Sequence, residues 1–176
     1  MERSRAIMFG MLVVAGLLVV GAKDTPEKAT PAPSGPQEAE VTGIVIDPVS
    51  RQPVVLLQGK RDKRNLAMTI GQFEANGIAI PLQGVQPPRP LTHDLVLNLL
   101  GGLKASLKRI VIIDLRDDVY YALLHLDVQG NPLQVDSRPS DAIALALRAK
   151  VPILVEDRVF DKAERLAPKT APSPHF

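Results

Sequence analysis

Two short polar segments, Arg89-Pro90-Leu91-Thr92-His93-Asp94 and Asp136-Ser137-Arg138-Pro139-Ser140-Asp141, each stand at the start of a stretch with helical periodicity, and Glu74 lies near the start of a third. Brought together, they would supply the parts that phosphodiester hydrolysis requires. Glu74, Asp94, Asp136 and Asp141 are carboxylates for a divalent cation, with Asp136, Asp141 and Glu74 the first candidates for Mg²⁺ or Mn²⁺. Arg89 and Arg138, with the Ser140 hydroxyl, are donors for a phosphate, and His93 can move a proton. Other chemistries are excluded by what is missing. The chain has no cysteine, so thiol nucleophiles, disulfides and zinc–cysteine sites are ruled out. No serine nucleophile elbow, phosphate-cradling glycine loop or histidine-rich metal motif occurs.

A structural role accounts for part of the same pattern. Asp94 and Asp141 sit in first turns beside Thr92 and Ser140, where they can cap free N–H groups and favour the positive helix end, for about 0.5–2 kcal/mol each. Arg89 and Arg138 can pair with Asp94 and Asp141 as salt bridges. His125, between Leu124 and Leu126, reads as a surface-facing strand residue.

The elements that must position these residues follow from periodicity. Val41–Asp47 and Pro53–Gln58 read as a hairpin. Thr69–Leu82 reads as a short helix through Ile78, ended by Pro81. A second helix runs from a Thr92 cap over His93 to Leu100, with Leu95, Leu99 and Leu100 sharing a face with Val96 and Leu103. Arg109–Leu115 and Val119–Val128 flank Asp117-Asp118 as another hairpin, and Gly130-Asn131-Pro132 turns into a strand at Leu133–Val135. Pro139 opens a helix reaching Ala149, Val151–Val155 is a last strand, and Val159, Ala163 and Leu166 mark a closing helix. The order predicts one α+β domain whose mixed, mainly antiparallel sheet carries packed helices.

Length and charge bound the rest. The 176 residues allow one substantial core. The net charge of +2 provides no basic field for bulk polyelectrolyte binding, and the cluster Lys60, Arg61, Lys63, Arg64 reads as a solvated loop. Residues 1–22, with Arg3 and Arg5 before an apolar run from Ala6 to Ala22, read as a signal peptide or membrane anchor. This predicts an exported protein, periplasmic or secreted, or held at the inner membrane by residues 6–22, the only segment expected to touch a membrane. Residues 23–40 read as a proline-rich linker, 41–166 as the folded domain, and 167–176 as a disordered tail.

The segments Ile70-Gly71-Gln72-Phe73-Glu74-Ala75, Arg89 to Leu95 and, above all, Asp136 to Ala146 resemble the three signature blocks of the bifunctional nuclease domain family, and the likeness spans the whole folded unit. It implies an α+β domain, often a homo-oligomer, with nuclease activity on DNA and RNA in some members. Glu74, Arg89, His93, Asp94, Asp136, Arg138, Ser140 and Asp141 fall on the motif positions. Against the commoner cytoplasmic form, the sequence leads us to expect an export segment and no appended C-terminal module.

Two expectations of different class follow. The first is a metal-assisted nuclease acting on DNA or RNA. The alternative is a non-catalytic exported domain that binds a small anion or a protein partner, consistent with Phe73, Tyr120, Tyr121 and Phe160 being the only aromatic residues of the domain, so that few bases could be stacked.

Overall fold

The computed structural model describes residues 35–166. The expected leader at 1–22, most of the expected linker and the expected tail at 167–176 lie outside the described residues. The elements run β1 (Gln37–Ile46), β2 (Pro53–Gly59), β3 (Asn65–Thr69), α1 (Gln72–Leu82), α2 (Thr92–Gly102), β4 (Ala105–Arg116), β5 (Val119–Val128), β6 (Asn131–Ser137), α3 (Pro139–Ala149), β7 (Ile153–Val155) and α4 (Asp157–Leu166). Among the described residues no helix is long and apolar enough to cross a membrane.

All seven strands form a sheet in the order β3-β2-β1-β7-β4-β5-β6, and every neighbouring pair is antiparallel except β4 with β7. The mixed, mainly antiparallel α+β architecture expected from the sequence is therefore present. It is made of two meanders, β1–β3 and β4–β6, joined through the short β7, which pairs by Ile153, Leu154 and Val155 with both β1 and β4. The sheet curls: the Tyr120 hydroxyl of β5 donates to the Ala67 carbonyl of β3 at 3.2 Å, although the sheet order separates those strands by four others. Asp117 and Asp118, both at positive φ, make the tight turn of the β4–β5 hairpin.

At the centre lies α3, whose Ala142, Ile143, Ala144, Leu145 and Ala146 are all buried against Ile110, Ile112, Ala122 and Val155 of the sheet. Pro139 occupies its first turn as expected, where the missing N–H costs nothing. The α4 helix adds Val159 and Phe160 to the same core.

Several boundaries differ from the sequence expectation, each for a tertiary reason. The first strand starts at Gln37, inside the stretch read as linker, because Gln37–Ala39 pair with β7 and the Gln37 side chain, only 4% exposed, donates to Asp62 at 2.8 Å. The strand β3 was not expected; only Leu66 and Met68 of its five residues point inward, too short an alternation to stand out. Helix α1 is not ended by Pro81 but continues to Leu82. Helix α2 buries no residue fully: Val96, Leu97 and Leu100 pack on the core while Leu95, Leu99 and Leu103 remain exposed, so the expected single apolar face is split. Thr92 is not its cap; Leu91 is, and its N–H donates to Asp94 Oδ2 at 2.9 Å.

Candidate active site

The first turns of α1, α2 and α3 open onto one cleft of about 560 Å³, lined among others by Phe73, Glu74, Gly77, His93, Arg138, Asp141 and Arg148. Residues 74, 93 and 141, far apart in the chain, meet because α3 packs against both other helices and each contributes a polar first turn.

The Asp141 carboxylate is the hub. Its Oδ1 lies 3.2 Å from His93 Nε2, and its Oδ2 accepts from Arg138 Nε at 2.6 Å. Burial alone would raise the Asp141 pKa, but the hydrogen bonds and positive charge of Arg138, with His93, outweigh it and hold the carboxyl below its ordinary value. A carboxylate facing Nε2 favours the proton there, leaving Nδ1 as the ring nitrogen with a free lone pair. Arg138 also donates through Nη2 to Asp141 Oδ1 at 3.2 Å and through Nη1 to Glu74 Oε1 at 2.8 Å. A guanidinium has five N–H groups, so two remain for a ligand, on a side chain that is 65% exposed.

Two glycines set these positions by close approach. A Cβ on Gly77 would stand 2.9 Å from His93 Cε1 and 3.2 Å from its Nδ1, so only glycine lets the ring lie against α1. A Cβ on Gly71 would stand 2.2 Å from Glu74 Oε2; the carboxylate folds back over the helix start.

Arg148, which sequence reasoning did not single out, ties the three helices together. It donates through Nε to Asp94 Oδ1 at 2.9 Å, and through Nη1 to the Gly77 carbonyl at 2.6 Å and the Ala144 carbonyl at 2.9 Å. Its side chain is 7% exposed, and Nη2 is buried without a partner. The available signal was Pro81: proline in a helix leaves the carbonyl four residues earlier without a donor, and that carbonyl belongs to Gly77.

A model of the bifunctional nuclease domain matches residues 55–167, a span that holds the entire cleft. The chain belongs to the bifunctional nuclease domain family. It is 46% identical over 131 residues to an uncharacterized protein of Mycobacterium tuberculosis (strain ATCC 25618 / H37Rv), covering 74% of this chain and 78% of that one. It is 33% identical over 103 residues to bifunctional nuclease 1 of Oryza sativa subsp. indica, covering 56% of this chain and 31% of the rice protein.

Of the residues singled out for this bifunctional nuclease domain, Glu74, His93, Arg138 and Asp141 are brought together; the others are not. Asp94 faces Arg148 and the Leu91 N–H, which matches the structural role foreseen for it, although its partner is Arg148 and not Arg89. Arg89 is exposed in the connector before α2 and does not line the cleft. Asp136 is exposed on β6, opposite Leu123 of β5. Ser140 is buried beyond the Glu74–Arg138 pair, in an adjoining depression. His125 sits on β5 beside Arg109, away from the cleft. Three residues of the basic cluster are taken up in ion pairs: Lys60 with Glu38, Arg61 with Asp157, and Arg64 with Asp62, Asp157 and Asp161.

The donor set does not fit the expected Mg²⁺ or Mn²⁺. Among the described residues no three His, Asp or Glu side chains are grouped to hold an ion, and a guanidinium already bridges Glu74 and Asp141.

Proposed function

We propose that this domain is a nuclease that hydrolyses phosphodiesters of DNA or RNA by acid–base chemistry at the His93–Asp141 pair. The observation that carries the reading is the chain from Glu74 through Arg138 and Asp141 to His93, which joins a phosphate-type donor to an oriented imidazole in an open cleft. The two spare N–H groups of Arg138 take the non-bridging oxygens of the phosphate, neutralising charge that grows in the transition state. His93 Nδ1 accepts a proton from the attacking water, and Asp141 stabilises the imidazolium that results. As the new P–O bond forms the ester P–O bond breaks, and the departing oxygen takes a proton from solvent. Glu74 keeps the guanidinium in place. The family resemblance and the rice relative's name support the same class.

The test is cleavage of labelled DNA and RNA by the full chain, with and without chelator. We expect products from the wild type, a loss of at least ~100-fold in a His93→Ala/Asp141→Ala double variant, and persistence in chelator. Equal cleavage by the double variant would overturn the site and leave the cleft an anion-binding feature, as in the non-catalytic alternative. Loss of activity in chelator would restore the metal-assisted version.

A further inference from the structure

The four aromatic residues of the domain divide into two pairs. Phe160 is buried under the Arg64 guanidinium, 4.7 Å from its ring centre, and Tyr121 lies under Arg116 at 4.2 Å. The other two flank the Glu74–Arg138 ion pair. Phe73 lines the cleft on one side and is 87% exposed, the least covered of these aromatics and adjacent in sequence to Glu74. On the other side a second depression of about 320 Å³ shares Glu74 and Arg138 as its wall and is lined by Ile70, Val119, Tyr120 and Pro139, with Thr69, Asp118 and Ser140 as further polar groups. The Tyr120 ring is fixed there by its hydrogen bond to Ala67. Burial, with the Asp118 carboxylate nearby, pushes the Tyr120 phenol above its ordinary pKa.

Charge selects among nucleic acids. Duplex affinity rests on neutralising many phosphates, but the chain has a net charge of only +2, and Lys60, Arg61 and Arg64 are paired with acids of its own. Binding strength must then come from the faces of bases, which a duplex hides. Stacking of an unpaired base on an aromatic ring contributes about 1–3 kcal/mol.

Resting on the nuclease reading above, we propose that the substrate is a single strand straddling the Glu74–Arg138 pair, one unpaired base on Phe73 and its neighbour in the Tyr120 depression. The Asp118 carboxylate accepts hydrogen bonds and donates none, so it holds the second base by an N–H group, either an exocyclic amino group or the ring N–H that guanine, thymine and uracil carry once unpaired.

The experiment uses the full chain with fluorescent oligonucleotides, single-stranded or annealed to a complement, and reads both cleavage and binding by anisotropy. Phe73→Ala and Asp118→Asn alter exposed side chains and so leave folding intact. Expected are cleavage at least ~10-fold faster on the single strand and, in Phe73→Ala, a KM raised about 5- to 150-fold, the equivalent of the stacking energy, with kcat little changed. In Asp118→Asn, which removes the charge that strengthens the hydrogen bond to the second base, KM for the single strand also rises with kcat little changed. Equal action on duplex and single strand, or an unchanged KM in Phe73→Ala, overturns the proposal while leaving the nuclease reading in place. If nothing is cleaved but single strands bind and Phe73→Ala abolishes that binding, the nuclease reading fails and the single-strand site stands. If neither cleavage nor binding is seen, both fall.

Discussion

Arg148 donates Nη1 to the carbonyl of Gly77 at 2.6 Å, which is the carbonyl that Pro81 leaves without a backbone donor. A residue near the end of α3 thereby repairs α1, while its Nε holds Asp94 at the start of α2. Replacing Arg148 by Met removes all three bonds and leaves the Asp94 carboxylate without its cationic partner, holding only the Leu91 N–H. Breaking a buried pair from one side costs about 3–5 kcal/mol, and the lower end applies because Asp94 is 32% exposed. Urea unfolding of Arg148→Met, Asp94→Asn and the double variant checks this. The double variant should be more stable than the sum of the single losses; strict additivity would show that the pair is not coupled.

Gly77→Ala sets two effects against each other. Alanine in a helix interior is favoured over glycine by about 1 kcal/mol, yet its Cβ would stand 2.9 Å from His93 Cε1. The imidazole can swing away, so the protein should fold with an equal or higher melting temperature. Nuclease activity should drop by on the order of 100-fold, the usual consequence of displacing a catalytic group by about an ångström. Thermal melting beside initial cleavage rates separates the two; unchanged rates would mean that ring placement against α1 is not needed.

Which of these relationships could be read in the sequence depends on how local they are. Pro139 at a helix start and the Asp117-Asp118 hairpin are local chemistry, and both are found where the sequence put them. The pairing of Arg138 with Asp141, three residues on, is likewise within reach of a sequence argument. Arg148 was not, because its partners at 77, 94 and 144 come together only through packing of three helices. Asp136 and Asp141 share one motif, but the strand-to-helix change at Arg138 separates them: Asp136 stays on β6 while Asp141 turns into the cleft.

Acid should destabilise the domain through Asp141. Its pKa is below the ordinary 3.8 in the folded state, so it contributes stability that is full above that value and is lost as pH falls through the lower folded value. Asp157 behaves alike: burial works against it, and the Gly35 N–H, Arg61 and Arg64 lower it. Asp141→Asn should therefore be less stable than wild type at neutral pH and approach it as the pH falls below 3.8 and through the lower folded value. A gap that stays constant across the acid range would contradict the assignment.

Arg138→Lys distinguishes a bridging fork from simple charge. A lysine ammonium has three donors and no planar fork, so it cannot bond both Glu74 and Asp141 and still present two N–H groups to a phosphate. The ion pairs are exposed enough that stability should change by only about 0–1 kcal/mol. Cleavage should fall far more, by on the order of 100-fold, the loss that follows removal of one donor aimed at developing charge. Full activity in the lysine variant would reduce Arg138 to a general positive charge.

The start of β1 offers a test of what joins the two meanders. Only Gln37, Glu38 and Ala39 of β1 pair with β7, through Val155, Leu154 and Ile153. A chain beginning at residue 41 lacks all of them, together with the buried Gln37 amide that donates to Asp62 and accepts from the Arg61 N–H. It keeps every residue of the cleft. Each ladder bond contributes about 0.5–1.5 kcal/mol, and Asp62 would lose a partner as well. A chain beginning at residue 35 should therefore unfold at a clearly higher urea midpoint than one beginning at 41, although the added segment is rich in polar residues and touches nothing in the cleft. Identical midpoints would mean that β7 holds the meanders together through β4 alone.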